Sequence, residues 1–144
     1  MIKIICVGKI KENYLKDGIE DYIKRINKYH KIEIIEVMDS DINREKDLII
    51  KNIDNRDYVI TLEIEGNSIG SKELANKIDK TFITNNCITF IIGGSDGLHE
   101  DIKNISNYKL SFSKMTFPHG LFRLILLEQI YRSFKILNNE TYHK

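Results

Sequence analysis

Two patterns of apolar residues alternate along the chain, one typical of strands and one typical of helices. Short apolar runs rich in isoleucine and valine are each followed by a stretch with apolar residues three or four positions apart, the spacing of an amphipathic helix. The runs predict strands over residues 2–8, 31–37, 57–62, 87–92 and 108–112. The periodic stretches predict helices over residues 14–28, 43–53, from 71 onward, about 98–106 and about 120–137.

This alternation predicts an α/β fold with a mostly parallel sheet flanked by helices and right-handed crossovers. Residues 87–92 are almost entirely apolar, as in a strand covered on both faces, so this strand should be central. Ser71 is predicted to cap its helix, with Glu73 in the first turn, after a turn-rich segment at 65–70. We expect a single domain over residues 1–144, without repeats or a linker.

Charge and cysteine content narrow the class of protein. The 22 basic and 21 acidic residues leave a formal charge of +1, so an RNA-binding site must be a local patch. Cys6 and Cys87 sit in apolar runs and are expected to be buried thiols without a disulfide, in a reducing compartment. We expect no signal peptide, and no window approaches the roughly 20 apolar residues of a membrane span.

Three strand ends could carry chemistry, because ligands of parallel sheets collect at the carboxyl ends of strands. They are residues 61–66, 92–98 and 111–119. The glycines at 93, 94 and 97 allow close approach of a ligand, but they match neither a P-loop nor the dinucleotide fingerprint, and a tight strand-to-helix turn explains them equally well. The third segment could surround an adenine, although its two phenylalanines could also be core residues.

The last predicted helix contains a misplaced cation. Arg123 falls on the apolar side of the helix, so it must meet a carboxylate, carbonyls or a bound anion. The first turns, residues 121–126, are apolar nearly all round, which indicates a central helix, a subunit interface or both. Glu128 and Arg132 are one turn apart and could form an ordinary surface pair.

The chain ends with Tyr142, His143 and Lys144, side chains that can contact a base or a phosphate. A frayed terminus without a role is the alternative interpretation. No histidines or cysteines have the spacing of zinc ligands, so no metal is expected.

Several of these segments together resemble the RlmH family. The resemblance spans the chain and is carried by FIIGGSDGL at 90–98, LSFSKMTFPH at 110–119, RLILLEQIYR at 123–132 and YHK at 142–144, with residues 61–65. It implies a SPOUT-type fold with a carboxyl-terminal trefoil knot, a cytoplasmic homodimer, and transfer of a methyl group from S-adenosyl-L-methionine to N3 of a pseudouridine in helix 69 of 23S rRNA. One departure is Gly70, where family members often have serine.

The resemblance also implies roles for individual residues. The family's cofactor contacts fall on Leu62, Gly93, Phe112, Ser113, Lys114, Met115, Thr116 and Phe117. His119 is a candidate catalytic base or oriented hydrogen-bond partner, because histidine exchanges protons near neutral pH. Arg132 and Tyr142, with His143 and Lys144, are candidates for contacts with the RNA, within one subunit or across the dimer. Solvent or the RNA could instead take the proton.

Two other functions remain open at this stage. One is a non-catalytic ribosome-binding module with the same fold, and the other is a nucleotide-binding oxidoreductase on a doubly wound sheet. The late position of the glycine loop disfavours the oxidoreductase. Binding of S-adenosylmethionine, measured against NAD and FMN, separates these alternatives.

Overall fold

Five strands and five helices alternate in the computed structural model, which describes residues 1–144. The order is β1 Ile2–Val7, α1 Asn13–Asn27, β2 Ile32–Val37, α2 Ile42–Lys51, β3 Tyr58–Ser68, α3 Ser71–Thr84, β4 Ile88–Ile92, α4 Glu100–Ile105, β5 Tyr108–Ser111 and α5 His119–Leu137. The predicted α/β alternation is therefore confirmed.

All neighbouring strands are parallel, in the order β2-β1-β4-β3-β5. Strand β4 is central: Ile88 lies opposite Ile2 of β1 on one side and Tyr58 of β3 on the other. Every residue of β4 is buried, which confirms the prediction made from its apolar sequence.

Helices cover both faces of the sheet. One apolar cluster joins Ile4 of β1 to side chains of α1, α3 and α5, such as Ile26, Ile78 and Leu126. A second cluster joins Ile5 of β1 to side chains of α2 and α4 on the opposite face. Because successive strand side chains point to opposite faces, continuous apolar runs supply both clusters.

Strand β3 is longer than predicted. The sequence suggested a strand that ends at Leu62 and a turn after it, but β3 continues to Ser68 alongside β5. The register shifts between Leu62 and Asn67, as in a β-bulge. A Cβ on Gly66 would lie 2.8 Å from the Lys109 carbonyl oxygen, so glycine is needed where the two strands approach.

Two helix starts also differ from the sequence prediction. Gly70 is the N-cap of α3, and its N–H donates to Glu73 Oε1 at 3.4 Å. Ser71 is the first helical residue, and its hydroxyl donates to Gln129 of α5 at 2.7 Å, so the prediction that Ser71 caps the helix was wrong. Helix α4 begins only at Glu100, because His99 is its N-cap and accepts a hydrogen bond from the Asp101 N–H through Nδ1 at 2.9 Å.

The misplaced cation has the kind of partners expected for a buried arginine. Arg123 is 3% exposed, and its guanidinium donates to a carboxylate oxygen of Glu36, at the end of β2, and to the Gly8 carbonyl at 3.2 Å. Helix α5 contacts both α1 and α3. A central position within one chain therefore accounts for most of its apolar surface.

Neither cysteine forms a disulfide, and burial is the main factor that raises the pKa of the Cys6 thiol to about 11. Membrane crossing requires a helix that is both long and apolar, and none of the helices meets that requirement. No cluster of three or more His, Cys, Asp or Glu residues is arranged to hold a metal ion.

Candidate cofactor pocket and tail cluster

A cavity of about 650 Å³ opens where β4 and β5 end and where β3 leaves its pairing with β4. The three strand ends singled out in the sequence meet here, since parallel strands place their carboxyl ends at one edge. Of the residues expected to contact a cofactor, all but one line the cavity: Leu62, Gly93, Phe112, Ser113, Met115, Thr116 and Phe117. The exception is Lys114, which is exposed and does not line the cavity.

The glycine loop after β4 is shaped by its own backbone. The Gly97 N–H donates to the Gly94 carbonyl at 3.0 Å, and Gly97 has a φ of +75°. A Cβ on Gly93 would lie 2.7 Å from the Gly97 carbonyl oxygen. Gly93 is therefore required for the loop to close, in addition to lining the cavity.

Aromatic rings support the loop between β5 and α5. Phe112 and Phe117 pack against Phe122 of α5, with ring centroids 5.2 and 5.6 Å apart. Both rings also line the cavity, so their packing against α5 leaves them at its surface. The Ser113 hydroxyl accepts a hydrogen bond from the Met115 N–H at 3.0 Å, which fixes the turn between them.

His119 is the first residue of α5 and lines the same cavity. Pro118 is the N-cap and sets the direction in which the loop enters the helix. The imidazole is exposed and forms no hydrogen bond within the chain. It is therefore free to bond to a ligand.

Three further charged residues line the cavity: Glu63, Glu65 and Lys103. The two glutamates belong to the first strand end, so their neighbourhood was recognisable in the sequence but their role was not. Lys103 belongs to α4. Nothing in the sequence indicates that it lines the cavity, because its approach to the cavity depends on how α4 packs on the sheet.

The carboxyl-terminal tail folds back onto α5 and forms what we call the tail cluster, Glu128, Arg132, Tyr142 and His143. The Tyr142 hydroxyl donates to Glu128 Oε2 at 2.7 Å, and the Arg132 guanidinium donates to the same carboxylate at 2.7 Å. Arg132 also lies 3.0 Å from His143 Nδ1 and over the Tyr142 ring at 4.8 Å. The tail is thus held in place by specific contacts.

Electrostatics reinforce the tail cluster. Burial and the hydrogen bond to Glu128 raise the pKa of Tyr142, which keeps its hydroxyl protonated and donating. The hydrogen bond to Glu128 also raises the pKa of Arg132. The cluster therefore holds a charged guanidinium, paired with Glu128, beside an aromatic ring.

One chain does not bring all the candidate catalytic residues together. His119 and Arg132 are 13 residues apart on α5, which corresponds to about 20 Å along the axis at about 1.5 Å per residue. Neither Arg132 nor Tyr142 lines the cavity.

Fold and cavity together define a parallel α/β protein that binds a nucleotide-like cofactor at the carboxyl edge of its sheet. The family described as "Predicted SPOUT methyltransferase" matches residues 1–143. The chain thus belongs to the SPOUT methyltransferases, and their methyl donor, S-adenosylmethionine, is its cofactor. Membership also excludes the oxidoreductase considered above.

Relatives extend over the whole chain. The ribosomal RNA large subunit methyltransferase H of Clostridium botulinum (strain Kyoto / Type A2) is 50% identical, over 99% of this chain and 99% of the relative. A relative from Methanococcus maripaludis, provisionally given the same name, is 54% identical with the same coverage. These similarities confirm the resemblance drawn from the sequence motifs.

Solved structures agree on the fold. A protein assigned to a methylase family in Haemophilus influenzae Rd KW20 superposes with a TM-score of 0.60 at 15% identity, covering 99% of this chain and 70% of that one. The A. aeolicus TrmH/SpoU tRNA modifying enzyme gives a TM-score of 0.50 at 12% identity, covering 95% of this chain and 77% of that one. The predicted SPOUT-type sheet is confirmed.

Proposed function

We propose that this protein methylates N3 of a pseudouridine in helix 69 of 23S rRNA, with S-adenosylmethionine as methyl donor. The cavity at the carboxyl edge of β3, β4 and β5 carries the proposal, because its glycine and aromatic loops suit an adenosine-containing ligand. The whole-length similarity to ribosomal RNA large subunit methyltransferase H supports the choice of rRNA.

Binding of the cofactor falls to the three loops. Leu62 and Phe117 offer apolar contacts to the adenosine, and the Gly93 backbone allows close approach. In this arrangement Lys114 contributes through its backbone, since its side chain is exposed. Ser113 and Thr116 complete the polar part of this wall.

Methyl transfer needs alignment and a proton acceptor. The cofactor supplies an electrophilic methyl group on a sulfonium sulfur. The protein must hold the target nitrogen in line with that methyl group, and positioning of this kind supplies a large part of the acceleration. The N3 proton must also leave, and His119, free at the cavity rim, acts as the base or as a hydrogen-bond partner that orients the target ring.

The residues of the tail cluster are assigned to contacts with the RNA. Arg132 offers a cation for phosphate, Tyr142 an aromatic face for a base, and His143 and Lys144 further polar contacts. The separation of about 20 Å along α5 favours a homodimer in which the tail of one subunit serves the cavity of the other. A trefoil knot around the cofactor loops and a cytoplasmic location complete the proposal.

An apolar patch beside the cavity supports the homodimer. Met115 is 75% exposed, Leu121 is 37% exposed, and Tyr14 is 73% exposed. Tyr14 is adjacent to Leu15, whose side chain approaches Gly120, so α1 contributes to the same region. Exposed apolar surface of this kind is typical of subunit contacts.

Mass mapping of large-subunit rRNA from cells with and without the gene tests the proposed function. One methyl group on a pseudouridine should be lost with the gene and restored when purified protein and S-adenosylmethionine are added to the unmethylated ribosomes. An unchanged rRNA mass would rule out this substrate. Cofactor binding without restoration would identify the protein as a non-catalytic ribosome-binding module.

A further inference from the structure

Glu63 is a half-buried carboxylate in the wall of the cavity, and it has no cationic partner. It directly follows Leu62 at the point where β3 departs from regular pairing with β5. None of the ion pairs in the chain includes it. A charge removed from water without a partner is costly, so the site favours a ligand that brings a positive charge.

The carboxylate is held in place from behind. Thr61 Oγ1 donates to Glu63 Oε2 at 2.6 Å, and the same hydroxyl lies 2.7 Å from Ser106 Oγ. Thr61 is completely buried, so this support is shielded from water. Glu63 Oε1 has no hydrogen-bond partner in the chain, and Glu63 is one of the residues that line the cavity.

The other charged groups around the cavity do not supply the missing cation. Lys103 and His119 line the same cavity, but neither forms a hydrogen bond or an ion pair with Glu63. Glu65 is the second carboxylate of the wall, but it is exposed and lacks a hydroxyl group that fixes it. Glu63 is therefore the one preorganised anion of the wall.

We propose that Glu63 is a specificity-determining residue that distinguishes the cofactor from the reaction product by charge. S-adenosylmethionine carries a permanent positive charge on sulfur, whereas S-adenosylhomocysteine, which remains after the methyl group has left, is neutral there. A fixed carboxylate in the wall of the cavity would attract the positively charged ligand more strongly than the neutral one. This inference rests on the proposed assignment of the cavity as the cofactor site.

Calorimetric titration with three ligands tests the inference without RNA. The ligands are S-adenosylmethionine, S-adenosylhomocysteine and sinefungin, in which an amine carries the positive charge near the sulfur position. Glu63→Gln keeps the shape of the side chain and removes its charge. We expect it to weaken binding of the two charged ligands about tenfold, equivalent to about 1.4 kcal/mol, and to change binding of S-adenosylhomocysteine less than about twofold.

Two further variants show whether charge and placement both matter. Glu65→Gln removes the exposed carboxylate of the same wall and should change all three affinities less than about twofold, because solvent screens that group. Thr61→Val removes the hydroxyl that fixes Glu63 and should reduce the preference for charged ligands by about threefold, a part of the Glu63→Gln effect. Circular dichroism confirms that each variant is folded.

The possible outcomes distinguish the role of Glu63 from the assignment of the cavity as the cofactor site. A Glu63→Gln protein that keeps the wild-type preference would overturn the role of Glu63 and leave the site intact. An equal loss for all three ligands would also overturn it, since the common amino group of the ligands, or the fold, would then be responsible. A wild-type protein that binds none of the ligands would overturn both proposals.

Discussion

Gly93 illustrates how one residue serves both the fold and the site. A side chain here would meet the Gly97 carbonyl at 2.7 Å before it reached a ligand. A larger residue therefore acts first on the loop and only through the loop on the cofactor. The glycine pattern pointed to a ligand, but the contact across the loop depends on a turn that the sequence does not specify.

Gly93→Ala should lower the affinity for S-adenosylmethionine by about tenfold or more, because the displaced loop no longer fits the ligand, and should cost about 1–3 kcal/mol of stability. Calorimetry measures the affinity, and thermal unfolding measures the stability. Gly70→Ala is the control, since a Cβ there approaches nothing closer than Glu73 Oε1 at 3.8 Å. Unchanged affinity in folded Gly93→Ala would exclude the loop from cofactor binding.

A second residue, Asp57, stabilises the opposite edge of the sheet. Its carboxylate accepts from Lys3 Nζ and from the Thr89 hydroxyl, both at 2.9 Å, and its side chain is 5% exposed. Burial opposes the charged form, but these hydrogen bonds, with one from the Asp54 N–H, outweigh it and lower the pKa of Asp57.

Asp57→Asn should destabilise the protein by about 3 kcal/mol at neutral pH, because Lys3 is left without its counter-charge. A lowered pKa in the folded state contributes stability above the ordinary aspartate value, about 3.9, and that contribution is lost as the pH falls through the lowered pKa. The difference from wild type should therefore shrink in acid.

Urea unfolding from neutral to acidic pH checks this dependence. Asp47→Asn serves as the control, since the Asp47 side chain is 74% exposed, and it should stay within about 0.5 kcal/mol of wild type. Equal stability of Asp57→Asn and wild type at neutral pH would contradict the role of Asp57. Cofactor affinity should be unaffected, because Asp57 lies before the first residue of β3 and does not line the cavity.

Among the elements, the tail behaves as an extension of α5. It is joined to the helix by Tyr142 through Glu128 and Tyr131, and by His143 through Arg132. A frayed end without a role would not make these contacts. Because the tail cluster does not line the cavity, its loss should affect the RNA step and not cofactor binding.

Deletion of residues 142–144 should reduce the rate of methylation by about a hundredfold while the affinity for S-adenosylmethionine changes less than about twofold. Single-turnover assays on ribosomes, run beside calorimetry, measure the two effects. Tyr29→Phe is a matched control, since it loses a hydrogen bond to Glu140 near the same helix end without touching the tail cluster. Equal rates for deleted and intact protein at subsaturating ribosome concentration would remove the tail from the reaction.

The secondary structure elements were predictable to different degrees. Strand β4 and the alternation of strands and helices followed from apolar periodicity, because burial on both faces imposes it directly. The extension of β3 beyond Leu62 could not be predicted from periodicity. Residues 63–68 are mostly polar and become a strand only by pairing with β5. The prediction that Ser71 caps α3 was wrong because a hydroxyl near the start of a helix can equally bond to another helix.

Long-range pairing limits what the sequence reveals about the site. Burial of Arg123 could be predicted from its helix position, but Glu36, its partner, lies 87 positions away. The three loops that line the cavity could be predicted from the sequence, because the carboxyl ends of parallel strands lie at one edge of the sheet. The approach of Lys103 and the bond from Thr61 to Glu63 depend on side-chain positions that no periodicity encodes.

At the scale of the whole molecule, the proposed joint action of His119 and the tail cluster on one target predicts a second subunit, because the two lie far apart along α5. Light scattering of the purified protein should give the mass of a dimer of this 16.9 kDa chain. A monomer with full activity would contradict the proposed sharing of sites between subunits.

Mixing two impaired variants tests the sharing directly, at a concentration of S-adenosylmethionine too low to fill the Gly93→Ala cavity. One variant carries Gly93→Ala in its cavity, and the other lacks residues 142–144. If the tail acts across the dimer, a mixed dimer contains one intact cavity served by one intact tail, and random exchange restores about a quarter of the wild-type sites. If the tail serves its own chain, the mixture stays as inactive as its components.

The strand order has a consequence for how this protein is made. Strand β4 lies between β1 and β3, yet it is synthesised after both. Until residues 88–92 leave the ribosome, β1 and β3 are separate apolar edges with no partner between them. The pair of β1 and β2 can form early, but β3 can join it only through β4, and parallel pairing over such distances in the sequence is slow. The sheet should therefore be completed late in synthesis, after residues 88–92 have joined its two halves.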